Sequence, residues 1–99
     1  MMYAMALIRY RKPFPEVEPH LEAHRAYLRG LFEQKLLLAS GPLDPRTGGV
    51  LLLRVPDDSV GPSLDRIRDD DPFTLAGVAQ YELLPWNPVI GRDGLDSLR

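Results

Sequence analysis

The order of its apolar segments constrains the fold of this 99-residue chain more than any other feature. Four short apolar runs are candidates for strands, and two segments with helical spacing of apolar residues lie between them. The predicted order is strand, helix, strand, strand, helix, strand. This order is typical of a split βαβ, ferredoxin-like α+β fold, in which two main helices cover one face of a four-stranded antiparallel sheet. The length suits a single domain.

The predicted strands are short runs that end at charged or turn-forming residues. They are Met2–Tyr10, Leu36–Ser40, Val50–Val55 and Val78–Trp86. Gly41-Pro42 is a strong turn signal, and the polar segment Asp44–Gly49 joins the second and third runs as a hairpin. Because the runs carry apolar residues at both odd and even positions, both faces of the sheet are predicted to be apolar. We therefore expect a homodimer in which a second copy covers the face without helices.

The first predicted helix runs from about Glu18 to Glu33, after prolines that fit a loop and a first helical turn. At 100° per residue, His24 falls in the middle of its apolar face. The apolar members of this face are Val17, Leu21, Leu28, Leu31 and Phe32. The sequence therefore predicts a titratable ring that points into the core.

The second predicted helix carries Val60, Leu64 and Ile67 at helical spacing, with Ser59 or Ser63 as its N-cap. The pair Asp71-Pro72 has the form of an N-cap followed by proline at the first helical position. It predicts one further helical turn, Phe73–Ala76, that Gly77 ends. The segment from Asn87 to Arg99 has only a weak apolar pattern and either is loosely held or packs on a partner.

Composition argues against several classes of function. The 12 basic and 14 acidic residues give a net charge of -2 without a basic run, which disfavours nucleic-acid binding. No apolar run approaches the ~20 residues that span a bilayer, and the opening segment lacks the order of a signal peptide. The absence of cysteine excludes disulfides and thiolate nucleophiles. We expect a soluble, cytoplasmic protein that binds no membrane.

His24 is the strongest candidate for chemistry, because a histidine on an apolar face needs partners for its ring nitrogens. Asp71 is a possible partner, since a carboxylate fixes the tautomer of an imidazole and raises the basicity of its other nitrogen, as a general acid/base requires. Two plainer interpretations stay open, a hydrogen-bonded structural histidine and an aspartate that only caps a helix. His20 and His24 have i, i+4 spacing, but a third metal ligand is missing, and we expect no metal or cofactor.

Three features of the predicted hairpin could serve a substrate. Ser40 offers a hydroxyl, Arg46 a cation for an anionic substrate, and Gly48-Gly49 backbone amides. Each is also common in ordinary turns. The sequence contains no P-loop, dinucleotide or Ser-His-Asp motif.

Four segments together resemble the YciI-like (YCII-related) family, and closely its small single-domain members. They are AHRAYLRGLFEQKLLLASGP, PRTGGVLLL, DDDPF and GVAQYELLPWNP. The resemblance covers residues 1–88, so that 89–99 form a C-terminal tail that we expect to pack on a dimer partner. Members usually carry glycine where the first helix ends, and Gln34-Lys35 stands there in this chain. The helix end is then made differently or the helix continues.

The resemblance implies a dimeric α+β barrel fold and a catalytic pair that falls on His24 and Asp71, in a cleft lined by Ser40 and Phe73. One branch of the family is similar to a dehydrochlorinase of a chlorinated hydroxyquinol, and related barrels include lactone isomerases. Proton transfer on a small oxygenated ring is the implied chemistry. We therefore expect a cofactor-independent enzyme of the isomerase, lyase or dehydrochlorinase type. The alternatives are a non-catalytic dimer that binds a small ligand or is structural, and a regulatory protein-interaction module.

Overall fold

Four antiparallel strands form one sheet in the computed structural model, which describes residues 1–98. The strands are β1 (Met2–Tyr10), β2 (Leu37–Pro42), β3 (Gly48–Val55) and β4 (Ala79–Trp86). Their order in the sheet is β2-β3-β1-β4, so β1 and β3 are central and β2 is an edge strand. The predicted ferredoxin-like α+β fold is confirmed.

Five helices accompany this sheet within residues 1–98. They are α1 (Phe14–Val17), α2 (Leu21–Glu33), α3 (Val60–Asp70), α4 (Pro72–Leu75) and α5 (Arg92–Asp96). Short 3-10 turns at Glu18–His20 and Asp57–Ser59 precede α2 and α3. The two long helices, α2 and α3, are those that the sequence predicts.

The first helical region differs from its prediction in two respects. Helical structure already begins at Phe14 and changes to a 3-10 turn at Glu18–His20, since Pro19 has no N–H for a regular helical hydrogen bond. The assignment of Phe32 to the buried face is wrong, because Phe32 is 55% exposed. His24 and Leu31 are buried as predicted.

Lys35 makes the turn at the end of α2 that glycine usually makes. Its φ is 65°, in the left-handed region, and its N–H donates to the Phe32 carbonyl at 3.0 Å. The Leu36 N–H donates to the Leu31 carbonyl at 3.0 Å. These two hydrogen bonds form a Schellman motif, so α2 ends where a glycine would end it.

Ser59 occupies the predicted N-cap of α3, but its side chain makes no capping hydrogen bond. Its hydroxyl oxygen instead lies 3.2 Å from that of Ser63. The prediction that one of these hydroxyls caps the helix is therefore wrong. At α4 the predicted cap is confirmed, since the Phe73 N–H donates to Asp71 Oδ1 at 2.9 Å.

The predicted turn at Gly41-Pro42 is wrong, because β2 continues through both residues and pairs Pro42 with Gly49. Proline is tolerated there because β2 is an edge strand and can leave one N–H position unpaired. The hairpin turn is correspondingly shorter than the predicted Asp44–Gly49. Gly48 already belongs to β3.

A β-bulge in β2 decides which way Ser40 points. Leu37 pairs with Leu53, but Ala39 pairs with Leu52, so one extra residue lies between them. After the bulge, Ser40 pairs with the buried Leu51 and shares its face of the sheet. Strict alternation from Leu37 would place Ser40 on the opposite face.

The main core lies between the helices and the inner face of the sheet. Buried members on this face include Ala4, Ala6 and Ile8 of β1 with their partners Leu51 and Leu53 of β3. The outer face is also apolar, as the sequence predicts. Its half-buried or exposed apolar residues include Met5, Leu7, Val50, Leu52 and Leu84.

The C-terminal segment packs on one end of the outer face of its own chain. The Tyr3 hydroxyl donates to Asp96 Oδ1 at 2.6 Å, and the buried Arg54 donates to the Leu98 carbonyl at 3.1 Å. The Arg92 guanidinium lies 5.3 Å from the centroid of the Tyr3 ring. These contacts attach α5 to the sheet. Packing of the tail on a partner chain stays a prediction.

Candidate functional site

His24 and Asp71 meet inside the protein although 47 residues separate them in sequence. The Nδ1 atom of His24 lies 2.8 Å from Oδ1 and 2.9 Å from Oδ2 of Asp71. The Asp71 side chain is fully buried, and 9% of the His24 side chain is exposed. The pair that the sequence singles out is therefore formed in the structure.

Local structure holds Asp71 in place on the α4 side. Asp71 is the N-cap of α4, where the Phe73 N–H binds Oδ1 and the Thr74 N–H donates to the Asp71 carbonyl at 2.9 Å. At the other end of this single turn, Gly77 has a φ of 70° and the Val78 N–H donates to the Phe73 carbonyl at 3.1 Å. The sequence features that predict a cap thus also position the carboxylate toward α2.

Tyr81 is a third partner of the Asp71 carboxylate, and its hydroxyl donates to Oδ2. Three donors therefore surround the carboxylate, from His24, Phe73 and Tyr81. An ionised carboxylate only accepts hydrogen bonds, and this arrangement supplies a donor to each of its oxygens. The buried charge is stabilised by these donors.

The Asp71 carboxylate determines which nitrogen of His24 can exchange a proton. With an acceptor-only partner, Nδ1 carries a hydrogen and donates it, which leaves the lone pair of the neutral ring on Nε2. Nε2 of His24 has no hydrogen-bond partner within residues 1–98. Only one side-chain polar atom of these residues is both without a partner and closed to solvent, and it is Thr74 Oγ1. Nε2 is therefore in contact with solvent.

The Phe73 ring fixes the plane of the imidazole. The two rings stack with centroids 3.9 Å apart and an angle of 7° between their planes. Tyr10 packs edge-on against the Phe73 ring at 6.0 Å. Because stacking and the double contact with Asp71 both restrict the imidazole, Nε2 points in a defined direction.

A cavity of about 220 Å³ opens beside His24 on the inner face of the sheet. Of the residues that the sequence predicts for substrate binding, Ser40, Arg46 and Phe73 all line it. The predicted Gly48-Gly49 pair lines it as well. Asp71 lies behind the imidazole and is not part of the lining. The structure thus brings the five predicted site residues to one place.

Burial raises the pKa of two tyrosines near the carboxylate. The pKa of Tyr81 lies far above its ordinary value, first because the hydroxyl is buried and then because it faces the Asp71 carboxylate. The pKa of Tyr27 is raised to about 12 by burial, with smaller contributions from Asp70 and Asp71. The Tyr27 hydroxyl donates to the Ile67 carbonyl at 2.8 Å. Both phenols stay protonated at neutral pH and act as hydrogen-bond donors.

Sequence reasoning missed two kinds of residue at this site. Tyr81 stands between Ala79 and Leu83 on the inner face of β4, and the alternation of that strand was the available signal. Arg25 and Tyr10 also line the cavity. Tyr10 follows the alternation of Ala6 and Ile8 on β1, whereas nothing local to Arg25 indicates its place, which follows from how α2 packs.

Within residues 1–98, no three His, Asp or Glu side chains cluster in a way that could hold a metal ion. None of the helices in the described part of the chain has the length and apolar character that a membrane crossing requires.

Comparison with known protein families assigns the chain to one of them. A sequence model of the YCII-related domain matches residues 1–87. The chain belongs to the YCII-related family. No curated protein sequence matches this YCII-related protein.

A solved structure resembles this YCII-related protein over most of both chains. It is the 5-chloro-2-hydroxyhydroquinone dehydrochlorinase TftG from Burkholderia phenoliruptrix AC1100 in complex with 2,5-dihydroxybenzoquinone. The TM-score is 0.72 and the sequence identity 23%, with 87% of this chain and 94% of that chain covered. At this identity the likeness shows a common fold, the dimeric α+β barrel class, and function must be argued from the site.

Proposed function

We propose that this YCII-related protein is a cofactor-independent enzyme that transfers a proton on a small oxygenated ring, with His24 as the general acid/base. The observation that carries this proposal is a buried carboxylate that binds Nδ1 of an imidazole, and this imidazole lines a cavity. A carboxylate in this position fixes the tautomer of the imidazole, so that Nε2 is left as the proton acceptor. Asp71 is the positioning residue of the pair.

The proposed step needs only the residues of the site. Nε2 of His24 takes a proton from a carbon or oxygen of the ring, and the electron pair of the broken bond enters the ring. In an isomerisation, the imidazolium returns the proton at another atom. In an elimination, the same electron pair expels a leaving group such as chloride, and the imidazolium releases its proton to water. Neither route requires an oxidant or a reductant.

The fold neighbour suggests the kind of ring to test. That structure is of a dehydrochlorinase of 5-chloro-2-hydroxyhydroquinone with 2,5-dihydroxybenzoquinone bound. The cavity of about 220 Å³ is of the right size for one such ring, since a 150 Å³ apolar cavity can hold benzene. Hydroxylated quinols, quinones and small lactones are therefore the first candidates.

The test compares two histidine variants of the full chain. Wild type, His24→Gln and His20→Gln are incubated in D₂O with a panel of these rings. Proton NMR follows the exchange of ring hydrogens, and chloride release is measured for the chlorinated quinol. We expect His24→Gln to lower the rate by about 10²–10⁴-fold, the usual contribution of a general acid/base. His20, one helical turn earlier and outside the cavity lining, serves as the matched control.

Two results would count against the proposal. A rate that survives in His24→Gln would exclude His24 as the proton-transfer group. Binding of panel compounds without any exchange or turnover in wild type would favour the alternative of a non-catalytic ligand-binding protein.

We also propose a homodimer in which two outer sheet faces pack on each other. The support is the apolar character of that face, where Leu7, Leu52 and Leu84 leave apolar surface uncovered by the helices. Leu52→Glu places a charge in the centre of the face and should yield monomers in light scattering. A wild type of monomeric mass would refute this arrangement. The absence of cysteine fits a cytoplasmic location, which we also propose.

A further inference from the structure

Two arginines from different elements line the cavity beside His24. Arg25 belongs to α2, one residue after His24, and Arg46 belongs to the turn between β2 and β3. The remaining lining is apolar, aromatic or small and polar, and it includes no aspartate or glutamate. The nearest carboxylate of the site, Asp71, lies behind the imidazole and is occupied by its three donors.

Neither arginine is neutralised by the protein. Within residues 1–98, the ion pairs formed by arginines are Arg9 with Glu82 and Arg68 with Asp65 and Asp69. Arg25 and Arg46 form no ion pair with a carboxylate of that part of the chain. A cation at the wall of a cavity without a carboxylate partner attracts an anion into the cavity.

An aromatic ring, rather than a carboxylate, orients Arg46. Its guanidinium lies 5.0 Å from the centroid of the Phe14 ring, and Phe14 packs on the cavity residue Tyr10 at 6.1 Å. Stacking on an aromatic face leaves the N–H groups at the edge of the guanidinium free to donate. This geometry suits the two oxygens of a planar carboxylate, which a guanidinium binds through parallel hydrogen bonds.

We propose that the ligand of this cavity is a monocyclic carboxylate, held by Arg25 and Arg46 while its ring lies against His24. This inference rests on the proposed function for the role of His24, but the binding of the anion does not depend on catalysis. The cavity of about 220 Å³ accommodates one ring with small substituents. During proton removal the ring gains negative charge, which the same two cations stabilise.

The experiment uses benzoate as the probe and benzamide as its neutral counterpart of nearly equal size. Binding to the full-length protein is measured at low salt from the imidazole NMR signals of His24, and by calorimetry. We expect benzoate to bind about tenfold or more tightly than benzamide, since a charged hydrogen bond contributes more than a neutral one. His24→Gln should retain benzoate binding in the calorimetric measurement.

Arginine-to-methionine substitutions, each of which removes one positive charge, identify the arginines that bind benzoate. Arg25→Met and Arg46→Met should each weaken benzoate binding by about tenfold or more. Arg29→Met is the matched control, because Arg29 lies one turn later on α2 and lines a neighbouring groove instead of the cavity. Arg25→Lys and Arg46→Lys keep the charge but lose the planar guanidinium, and they replace the Met variants if those fail to fold. We expect their binding of benzoate to be intermediate.

The outcomes separate this inference from the proposed function. Equal affinity for benzoate and benzamide would overturn the carboxylate inference. So would a loss in Arg29→Met as large as that in Arg25→Met and Arg46→Met. Neither result would contradict the proposed proton transfer by His24, which can act on a neutral ring. Tight benzoate binding that depends on both arginines supports the inference, even if no ring in the panel is turned over.

Discussion

Replacing Asp71 with Asn tests the central contact of the site, because it exchanges one carboxylate oxygen for an NH₂ group at nearly constant size. The backbone N–H of Phe73 binds Oδ1 of Asp71 at 2.9 Å. An NH₂ group at that position would oppose this donor, so the amide oxygen is expected to occupy it. The amide oxygen then lies 2.8 Å from Nδ1 of His24, and the NH₂ group lies at the Oδ2 position, 2.9 Å from Nδ1 and next to the Tyr81 hydroxyl.

The two neighbours of that NH₂ group respond differently. The Tyr81 hydroxyl can rotate and accept a hydrogen bond from it. His24 Nδ1 can still donate its hydrogen to the amide oxygen, 2.8 Å away, although the NH₂ group at 2.9 Å no longer accepts it. We therefore expect Asp71→Asn to keep the hydrogen of His24 on Nδ1 and to lower proton-exchange activity, because the imidazolium that forms no longer faces a negative charge.

The stability change follows from the same three contacts. Each contact loses a charged acceptor, and the difference between a charged and a neutral hydrogen bond is about 1 kcal/mol. Three such losses are partly offset because a buried charge no longer has to be desolvated. We expect a net loss of about 2 kcal/mol in the free energy of unfolding. For a domain of this size that loss lowers Tm by about 10 °C.

The assay is a long-range proton–nitrogen NMR correlation on protein labelled with ¹⁵N at histidine. The spectrum is recorded at alkaline pH, where the imidazole rings are neutral and their two tautomers are distinguished. His20 makes no hydrogen bond to Asp71 and serves as the internal reference. In both wild type and Asp71→Asn, His24 should carry its hydrogen on Nδ1. Thermal and urea unfolding give the stability change.

Undiminished proton-exchange activity in Asp71→Asn would refute the reasoning, because the carboxylate charge would then not assist proton transfer. A wild-type ring with its hydrogen on Nε2 would refute it directly, since Nδ1 would then not donate to Asp71. A hydrogen on Nε2 in Asp71→Asn would show that the NH₂ group, and not the amide oxygen, sets the proton position.

Further predictions concern alkaline pH and two glycines. Because the pKa of Tyr81 is raised above its ordinary 10.0, the folded state keeps a proton that the unfolded chain loses. Stability is therefore full below pH 10 and falls above it by about 1.4 kcal/mol per pH unit for this group. In urea unfolding between about pH 9 and 11.5, the free energy of unfolding should fall less steeply with pH for Tyr81→Phe than for wild type. Equal slopes for the two proteins would contradict this. Gly30→Ala should stabilise the protein by about 0.5–1 kcal/mol, since the added Cβ meets nothing within 4 Å. Gly48→Ala should destabilise it by about 2 kcal/mol or more, because its Cβ would lie 1.7 Å from the Ile8 carbonyl oxygen. Thermal unfolding of the two variants side by side checks both signs, and equal Tm values would contradict the structure.

Sequence patterns were reliable where structure depends on neighbours in the chain. The helical spacing around His24 predicted its burial, and Asp71-Pro72 predicted a cap that the structure contains. Both patterns act over three or four residues, where a side chain and the backbone that it contacts belong to the same turn. The signal at Gly41-Pro42 failed because the edge position of β2, a tertiary property, tolerates a proline in a strand.

The order of elements, the burial of His24 and the cap at Asp71 were thus determined by the sequence alone. Only the tertiary structure decided what surrounds them: the Tyr81 hydroxyl on Asp71, the bulge that turns Ser40 inward, and the cavity that Arg25 shares with the predicted Arg46. The physical reason is that periodicity assigns a residue to a face, whereas the residue that it meets there depends on packing and register. Asp71 and His24 come from segments 47 residues apart, and it was the packing of α4 against α2 that brought them together.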